Sequence, residues 1–362
     1  MSAEPSSGVL PAQALRAMFE SGAIAADLPL AAGQVQPASL DLRLGPKAWR
    51  IRASFLAGGV RTVAERLDEF AMHEIDLSGG AVLETGCVYL VPLQERLNLP
   101  AGVSAAANAK SSTGRLDLFT RLITDRGVEF DTVAAGYEGP LYAEISPRTF
   151  SVLVRPGARL NQIRFRRGVA ALSDAALRSL HDAQRLVDVE AQIDGGLAFS
   201  VDLSPPADGI VGWRARRHAG LIDLDRIGHY DPEEFWTPVR PMRAGGVILD
   251  PGAFYILVSR EAVHVPPDHA AEMTPYMAVA GEFRVHYAGF FDPGFGHGPA
   301  GGAGSRGVLE VRCHEAPFAL EHGQVVGRLV YERMTERPDI LYGAGVKSNY
   351  QGQGLKLAKQ FR

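Results

Sequence analysis

Residues 110–115 read Lys110-Ser111-Ser112-Thr113-Gly114-Arg115. Two adjacent hydroxyls, a small residue that lets the backbone come close, and a cation at each end can donate several hydrogen bonds to phosphate oxygens. A polar turn capping a strand or a helix uses the same residue types, so the run needs company before it means an anion site. Company follows downstream: Asp131, the turn Gly136-Tyr137-Glu138-Gly139, and the strand-like run Leu141-Tyr142-Ala143-Glu144-Ile145. Alternation places Glu144 on the face of Tyr142. A carboxylate on an inward face is costly to desolvate unless it is ion-paired or moves protons; facing solvent, it would be an ordinary strand residue.

The elements that must position these groups are short. Glycine (40) and proline (23) punctuate runs such as Cys87-Val88-Tyr89-Leu90-Val91 and Ser151-Val152-Leu153-Val154, which predicts a mainly β chain of sandwich or barrel type with a few short helices. One helix is expected from Pro11 to Ser21, with proline near its start and Gly22 past its end. A second is expected from Asp174 to Val187, with Ser173 as N-cap and Leu177, Leu180, Gln184 and Val187 near one face.

The chain also repeats itself. Gly86-Cys87-Val88-Tyr89-Leu90 reads like Gly252-Ala253-Phe254-Tyr255-Ile256, a spacing of 166 (252 − 86). The same spacing relates Glu95 to Glu261, Pro100 to Pro266, Glu144 to Glu310, Gly157 to Gly323 and Ile163 to Leu329. Ser39-Leu40-Asp41-Leu42 resembles Ser200-Val201-Asp202-Leu203 at a spacing of 161 (200 − 39). A tandem duplication follows: a first domain over 1–167, a helical connector over 168–195 and a second domain over 196–362, in a chain of 362 residues that a prior of roughly 100 to 200 per domain already divides in two.

Composition narrows the chemistry. The net charge of −4 is spread out, with no long basic run, so a polymeric nucleic acid is not an expected partner. Met1–Ala12 has no basic-then-apolar leader, and no run of about 18 apolar residues occurs, so neither export nor a membrane is expected. Cys87 and Cys313, the only two cysteines, stand far apart. They make no disulfide framework, which fits a reducing cytoplasm. The ten histidines show no metal-ligand spacing, and Gly296–Gly307 reads as a mobile loop inserted in the second copy.

Taken in order, Gln36-Pro37-Ala38-Ser39-Leu40-Asp41-Leu42-Arg43-Leu44-Gly45, the Lys110–Arg115 run, Asp131, Glu144, Tyr342 and Asn349-Tyr350-Gln351-Gly352-Gln353-Gly354 resemble the dCTP deaminase family, whose fold is dUTPase-like. Asp292-Pro293-Gly294-Phe295 and Leu309-Glu310-Val311 extend the resemblance into the second copy. The resemblance implies two tandem dUTPase-like domains and hydrolysis of dCTP to dUTP and ammonia. It implies that Lys110, Ser111, Ser112 and Arg115 grip the triphosphate, that Asp131 faces the sugar or base, and that Tyr342 and Gln353 belong to a closing C-terminal flap. Glu144 is the implied general acid/base. Glu310 is the alternative, with Asp292 the alternative to Asp131, because sites in this fold lie between domains of a homo-oligomer.

Two departures from the family pattern stand out. Asn349 occupies the place of the usual flap lysine, with Lys347 two residues earlier, and Met277-Ala278-Val279-Ala280-Gly281 replaces the phosphate-binding run in the second copy. One carboxylate can move every proton that hydrolytic deamination needs. The zinc route requires His-x-Glu with Pro-Cys-x-x-Cys, which this chain lacks; Cys313-His314-Glu315 only echoes it. No catalytic cofactor is expected, and Mg²⁺ is expected only with the triphosphate. The competing readings are a dUTP diphosphatase or bifunctional enzyme, which the run Gly127-Val128-Glu129-Phe130-Asp131 would serve, and a nucleotide-binding regulator without catalysis.

Overall fold

A computed structural model describes residues 7–243, 245–275, 283–286, 289–297, 304–343, 345–346 and 354–362. The chain forms two compact units. The first comprises Met1–Ala170, Gly220–His229 and Met334–Asp339; the second comprises Ala171–Ala219, Tyr230–Arg333 and Ile340–Arg362. The two late segments are stitched into the first unit by backbone bonds. Ile222 and Asp223 pair in parallel with Val152 and Leu153, and Thr335 N–H donates to Val9 O at 2.9 Å.

Each unit is mainly β, as its short apolar runs require. In the first, strands β1 (Lys47–Ile51), β2 (Ala71–Asp76), β3 (Val88–Asn98), β4 (Leu118–Thr124) and β5 (Glu138–Pro147) form an antiparallel sheet in the order β2-β1-β3-β5-β4, with Ile24–Ala26 also paired to β3. In the second, β6 (Gly212–Ala215), β7 (Trp236–Val239), β8 (Phe254–Val263), β9 (Phe283–His286) and β10 (Ser305–Cys313) follow the order β7-β6-β8-β10-β9. The two orders are the same. A second sheet in each unit also corresponds: Arg159–Arg167 pairs with Val103–Ala109 and Leu40–Arg43, and Val325–Arg333 pairs with His269–Pro275 and Leu197–Ser200.

The repeat is therefore physical as well as textual. Gly86 and Gly252 hold φ of 79° and 69°, and Gly157 and Gly323 hold 81° and 78°, the left-handed turns that glycine supplies without steric cost. Buried Glu95 accepts the backbone N–H of Arg43 at 2.9 Å, and buried Glu261 accepts that of Ser200 at 2.7 Å. One expectation fails. Registers Ile163↔Leu40 and Leu329↔Leu197 equate Arg43 with Ser200 at a spacing of 157 (200 − 43), so Ser39–Leu42 is not the counterpart of Ser200–Leu203. The Ser-x-Asp-Leu similarity drew the two segments four residues out of register, whereas the strand pairing and the buried glutamate fix it.

Helix α1 runs Ala12–Glu20 between Pro11 and Ser21, with Gly22 left-handed beyond it. A short helix, α2 (Val63–Phe70), was not expected, although Thr62 and Glu65 form a capping box in which each side chain takes the other's backbone N–H. α3 is the single turn Ser111–Gly114. α4 runs Asp174–Gln184, capped by Ser173, and its Leu177 packs in the core of the second unit. It ends three residues before Val187 because Arg185 turns left-handed at φ 44°; Leu186 and Val187 are buried instead as extended chain, with Val187 bridging Val263. Neither Cys87 nor Cys313 is in a disulfide. Among the described residues no helix is long and apolar enough to cross a membrane.

Candidate active site

The expected residues divide between the units. Lys110, Ser111, Ser112, Arg115, Asp131 and Glu144 fall in the first; Asp292, Glu310 and Tyr342 fall in the second. Gln353, with Lys347 and Asn349, lies outside the described residues, as do Met277–Gly281 and 298–303 of the expected loop.

The Lys110–Arg115 run forms α3 because Lys110 O accepts the N–H groups of Thr113 and Gly114 at 2.8 and 2.9 Å. Lys110 N–H is itself tied to Leu160 O, which fixes the turn against a neighbouring strand. Ser111 is exposed at the start of the turn, while Ser112 and Arg115 are buried. Lys110 is partly engaged already: its ammonium pairs with buried Asp41, whose Oδ2 also lies 3.8 Å from Arg159 Nη1. Asp131 sits left-handed at φ 61°, and its Oδ1 accepts Leu122 N–H at 2.7 Å, so its carboxylate closes the loop that follows β4.

Glu144 occupies the middle of a row across the sheet, Trp49 on β1, Leu90 on β3, Glu144 on β5 and Arg121 on β4. Leu141, Ala143 and Ile145 are fully buried on the opposite face, which holds the strand in this orientation. Arg121 Nε and Nη2 both donate to Glu144 Oε1, at 3.1 and 2.5 Å, while Oε2 is buried with no hydrogen-bond partner. The guanidinium also donates to Ser54 Oγ at 2.7 Å and lies over the rings of Phe130 and Phe119, 3.5 and 4.8 Å from their centroids.

An apolar cluster surrounds the row. Phe55, Ala57, Val63 and Leu67, from the 52–70 connection and α2, pack with Ile51, Leu90 and Ile123; Trp49, Phe130 and Tyr142 flank them. Burial holds the nearby Tyr142 phenol above its usual range, so it stays protonated. The connection is anchored by Val63 N–H to Asp125 Oδ1 at 2.7 Å, Gly58 N–H to Gly127 O at 3.0 Å and Arg126 N–H to Arg61 O at 2.9 Å. Sequence reading missed Arg121, whose pairing with Glu144 depends on strand register. It also missed α2, for which the Thr62-x-x-Glu65 box was the available signal.

The second unit repeats the row as Trp213, Ile256, Glu310 and His286. Glu310 is buried in β10 and Asp292 is buried beside the turn that follows it. That turn seats the start of the C-terminal segment: Tyr342 N–H donates to Pro293 O at 2.9 Å, and the rings of Phe295 and Tyr342 lie 5.5 Å apart. Gly294 sits at φ 97°, a backbone strained for any other residue, and a Cβ there would stand 3.0 Å from Tyr342 N, so the seated segment would have to give by a few tenths of an ångström. Farther along, Phe361 packs edge-on against Trp236 and Phe235. Among the described residues no three His, Cys, Asp or Glu side chains group as a metal site.

Both halves of the chain match family models: residues 6–169 match the 2'-deoxycytidine 5'-triphosphate deaminase N-terminal domain, and residues 173–361 match the C-terminal domain. The crystal structure of a 2'-deoxycytidine 5'-triphosphate deaminase from Agrobacterium tumefaciens is similar, with 57% identity and a TM-score of 0.88 over 91% of this chain and 99% of that one. A dUMP-forming dCTP deaminase of Streptomyces griseus is 26% identical over 48% of this chain and 93% of its own length. A dCTP deaminase of Natronomonas pharaonis is 30% identical over 36% of this chain and 66% of its own. With both of its halves matched, this chain belongs to the dCTP deaminase family.

Proposed function

We propose that this chain hydrolyses dCTP to dUTP and ammonia. The observation that carries the reading is an anion-donor turn with buried Ser112 and Arg115, in a family member that also keeps a shielded strand glutamate in each copy of its repeat. Lys110, Ser111, Ser112 and Arg115 bind the phosphates. Asp131 or Asp292 meets the sugar or base, and Tyr342 and Gln353 close over the nucleotide. Water adds to C4 of cytosine, losing one proton to the glutamate. The glutamate passes that proton to N3, then takes the proton of the new C4 hydroxyl and delivers it to the amino group; the C4–N4 bond breaks, ammonia leaves and C4 is left as a carbonyl. Mg²⁺ arrives with the triphosphate, and the protein contributes no catalytic metal. The working form is a homo-oligomer, which light scattering tests directly.

The curated relatives favour a second reading in which the product is dUMP, because those of Streptomyces griseus and Pseudarthrobacter chlorophenolicus are named dUMP-forming. That outcome adds attack of water on the α-phosphate and releases pyrophosphate. Chromatography of products from dCTP and Mg²⁺ separates the two: dUTP with ammonia supports the first, dUMP with ammonia and pyrophosphate the second. No ammonia defeats both.

A further inference from the structure

We propose that Arg159 is a further phosphate-binding cation of the first unit, acting beside the Lys110–Arg115 run. The proposal rests on the deaminase reading and extends its triphosphate contacts to a strand that the run does not include. Lys110 and Arg159 share one carboxylate. The Lys110 ammonium is in direct contact with Oδ2 of buried Asp41, while Arg159 Nη1 stands 3.8 Å from the same oxygen, outside hydrogen-bond range. Asp41 Oδ1 is buried with no hydrogen-bond partner, so the cluster is not the fully hydrogen-bonded network that a purely structural buried ion pair calls for. Arg159 Nη2 donates to Ala32 O at 3.2 Å, a neutral carbonyl that leaves the guanidinium charge in place. Its side chain is 25% exposed, which leaves it open to a ligand.

The surrounding charges do not balance. Arg43, opposite Arg159 across the paired strands, is taken up by Glu95 and by the carbonyls of Pro29 and Leu28. Arg43, Lys110 and Arg159 therefore set three positive charges against the two negative charges of Asp41 and Glu95, and one positive charge is left over. It lies beside the start of α3, because Lys110 N–H is bonded to the carbonyl of Leu160, the residue after Arg159. A guanidinium with spare donors at that place suits a phosphate oxygen.

The second copy acts as a control. At the spacing of 166, Lys110 corresponds to Tyr276 and Arg159 to Val325, and by strand register Asp41 corresponds to Ala198. All three charges are missing together from a copy that keeps the same strand pairing and lacks the Ser-Ser-x-x-Arg run. The sheet does not need the cluster, and the cluster goes where the phosphate run goes.

The test replaces Arg159 by Met, which keeps the aliphatic stem and removes the charge, and reads dCTP binding by calorimetry with Mg²⁺, steady-state ammonia release and thermal melting. Affinity for dCTP is expected to fall about 10–100-fold, the loss of one hydrogen bond to a charged group. KM should rise with kcat within about twofold of the parent, the pattern of an interaction made equally in ground and transition states. Melting should stay within a few degrees. Unchanged dCTP affinity in the folded variant overturns the proposal, as does a fall in kcat with KM unchanged. Should Arg159→Met not fold, Arg159→Gln decides: affinity lowered tenfold or more supports the role, and parental affinity overturns it. A parent chain that releases no ammonia defeats the deaminase reading itself, a result distinct from any of these.

Discussion

The two units carry corresponding rows of four residues across the same sheet order, and the rows differ most at their end. Trp49, Leu90 and Glu144 finish on Arg121; Trp213, Ile256 and Glu310 finish on His286. In the first unit the connection after β1 folds into α2 over the row, and the Ser111–Gly114 run forms the turn α3. In the second, an Asp-Pro-Gly turn anchors the C-terminal segment. Duplication kept the architecture and let each copy specialise.

The largest expected effect separates two other equivalent glutamates. Glu95 is buried and held by Arg43 Nε at 2.7 Å and Gln34 Nε2 at 2.7 Å, whereas Glu261 takes Ser200 N–H and Ser200 Oγ–H. Arg43→Met should destabilise the chain by about 3–5 kcal/mol by stranding a buried charge. Ser200→Ala should cost about 1.5–3 kcal/mol, the scale of one lost hydrogen bond to a charged group. Chemical denaturation measures both, and equal losses would erase the distinction.

Next in size is phosphate binding in the first unit. Arg115→Ala should weaken dCTP binding by about 1.5–3 kcal/mol, the range for hydrogen bonds to charged groups. Lys110→Ala should weaken it less, because Asp41 already holds that ammonium. Calorimetric titration ranks the two, and a larger effect at Lys110 would reverse the reading of the turn.

A smaller effect is expected at Gly294→Ala, where both the left-handed backbone and the contact with Tyr342 oppose a Cβ. Strain of about 1–3 kcal/mol should lower kcat/KM for dCTP with little change in the first unit's stability, which limited proteolysis resolved by fragment would show.

The smallest concerns pH. His264 stacks on His297 with ring centroids 4.8 Å apart and Nε2 2.7 Å from Nδ1. Burial first, and the neighbouring imidazole second, lower the pKa of His264. The unfolded chain then binds the proton more readily, so this contribution is present above the ordinary histidine range of about 6.5 and is lost as pH falls below it. Melting temperature should drop between pH 7.5 and pH 5.5, and His264→Phe should flatten that drop. A slope unchanged by the substitution would remove the pair as its source.

Much of this was legible in the residues. The spacing that relates Gly86 to Gly252 and Gly157 to Gly323 reported left-handed turns, which only a few residue types tolerate, and so it survived duplication visibly. The Ser173 cap announced α4, but its end was not legible, because Arg185 turns left-handed without a glycine to signal it. Ser39–Leu42 misled because a four-residue likeness is weaker than a strand's pairing. Arg121 was invisible as a partner of Glu144, since the two are 23 residues apart in sequence and meet only through the register of β4 on β5.

The most direct measurement is the crystal structure of this chain bound to dCTP and Mg²⁺. The account predicts the triphosphate on the Lys110–Arg115 turn and cytosine C4 with its amino group within hydrogen-bond reach of a strand glutamate, Glu144 or Glu310. A triphosphate bound away from that turn, or a cytosine with no carboxylate in reach, would contradict the account.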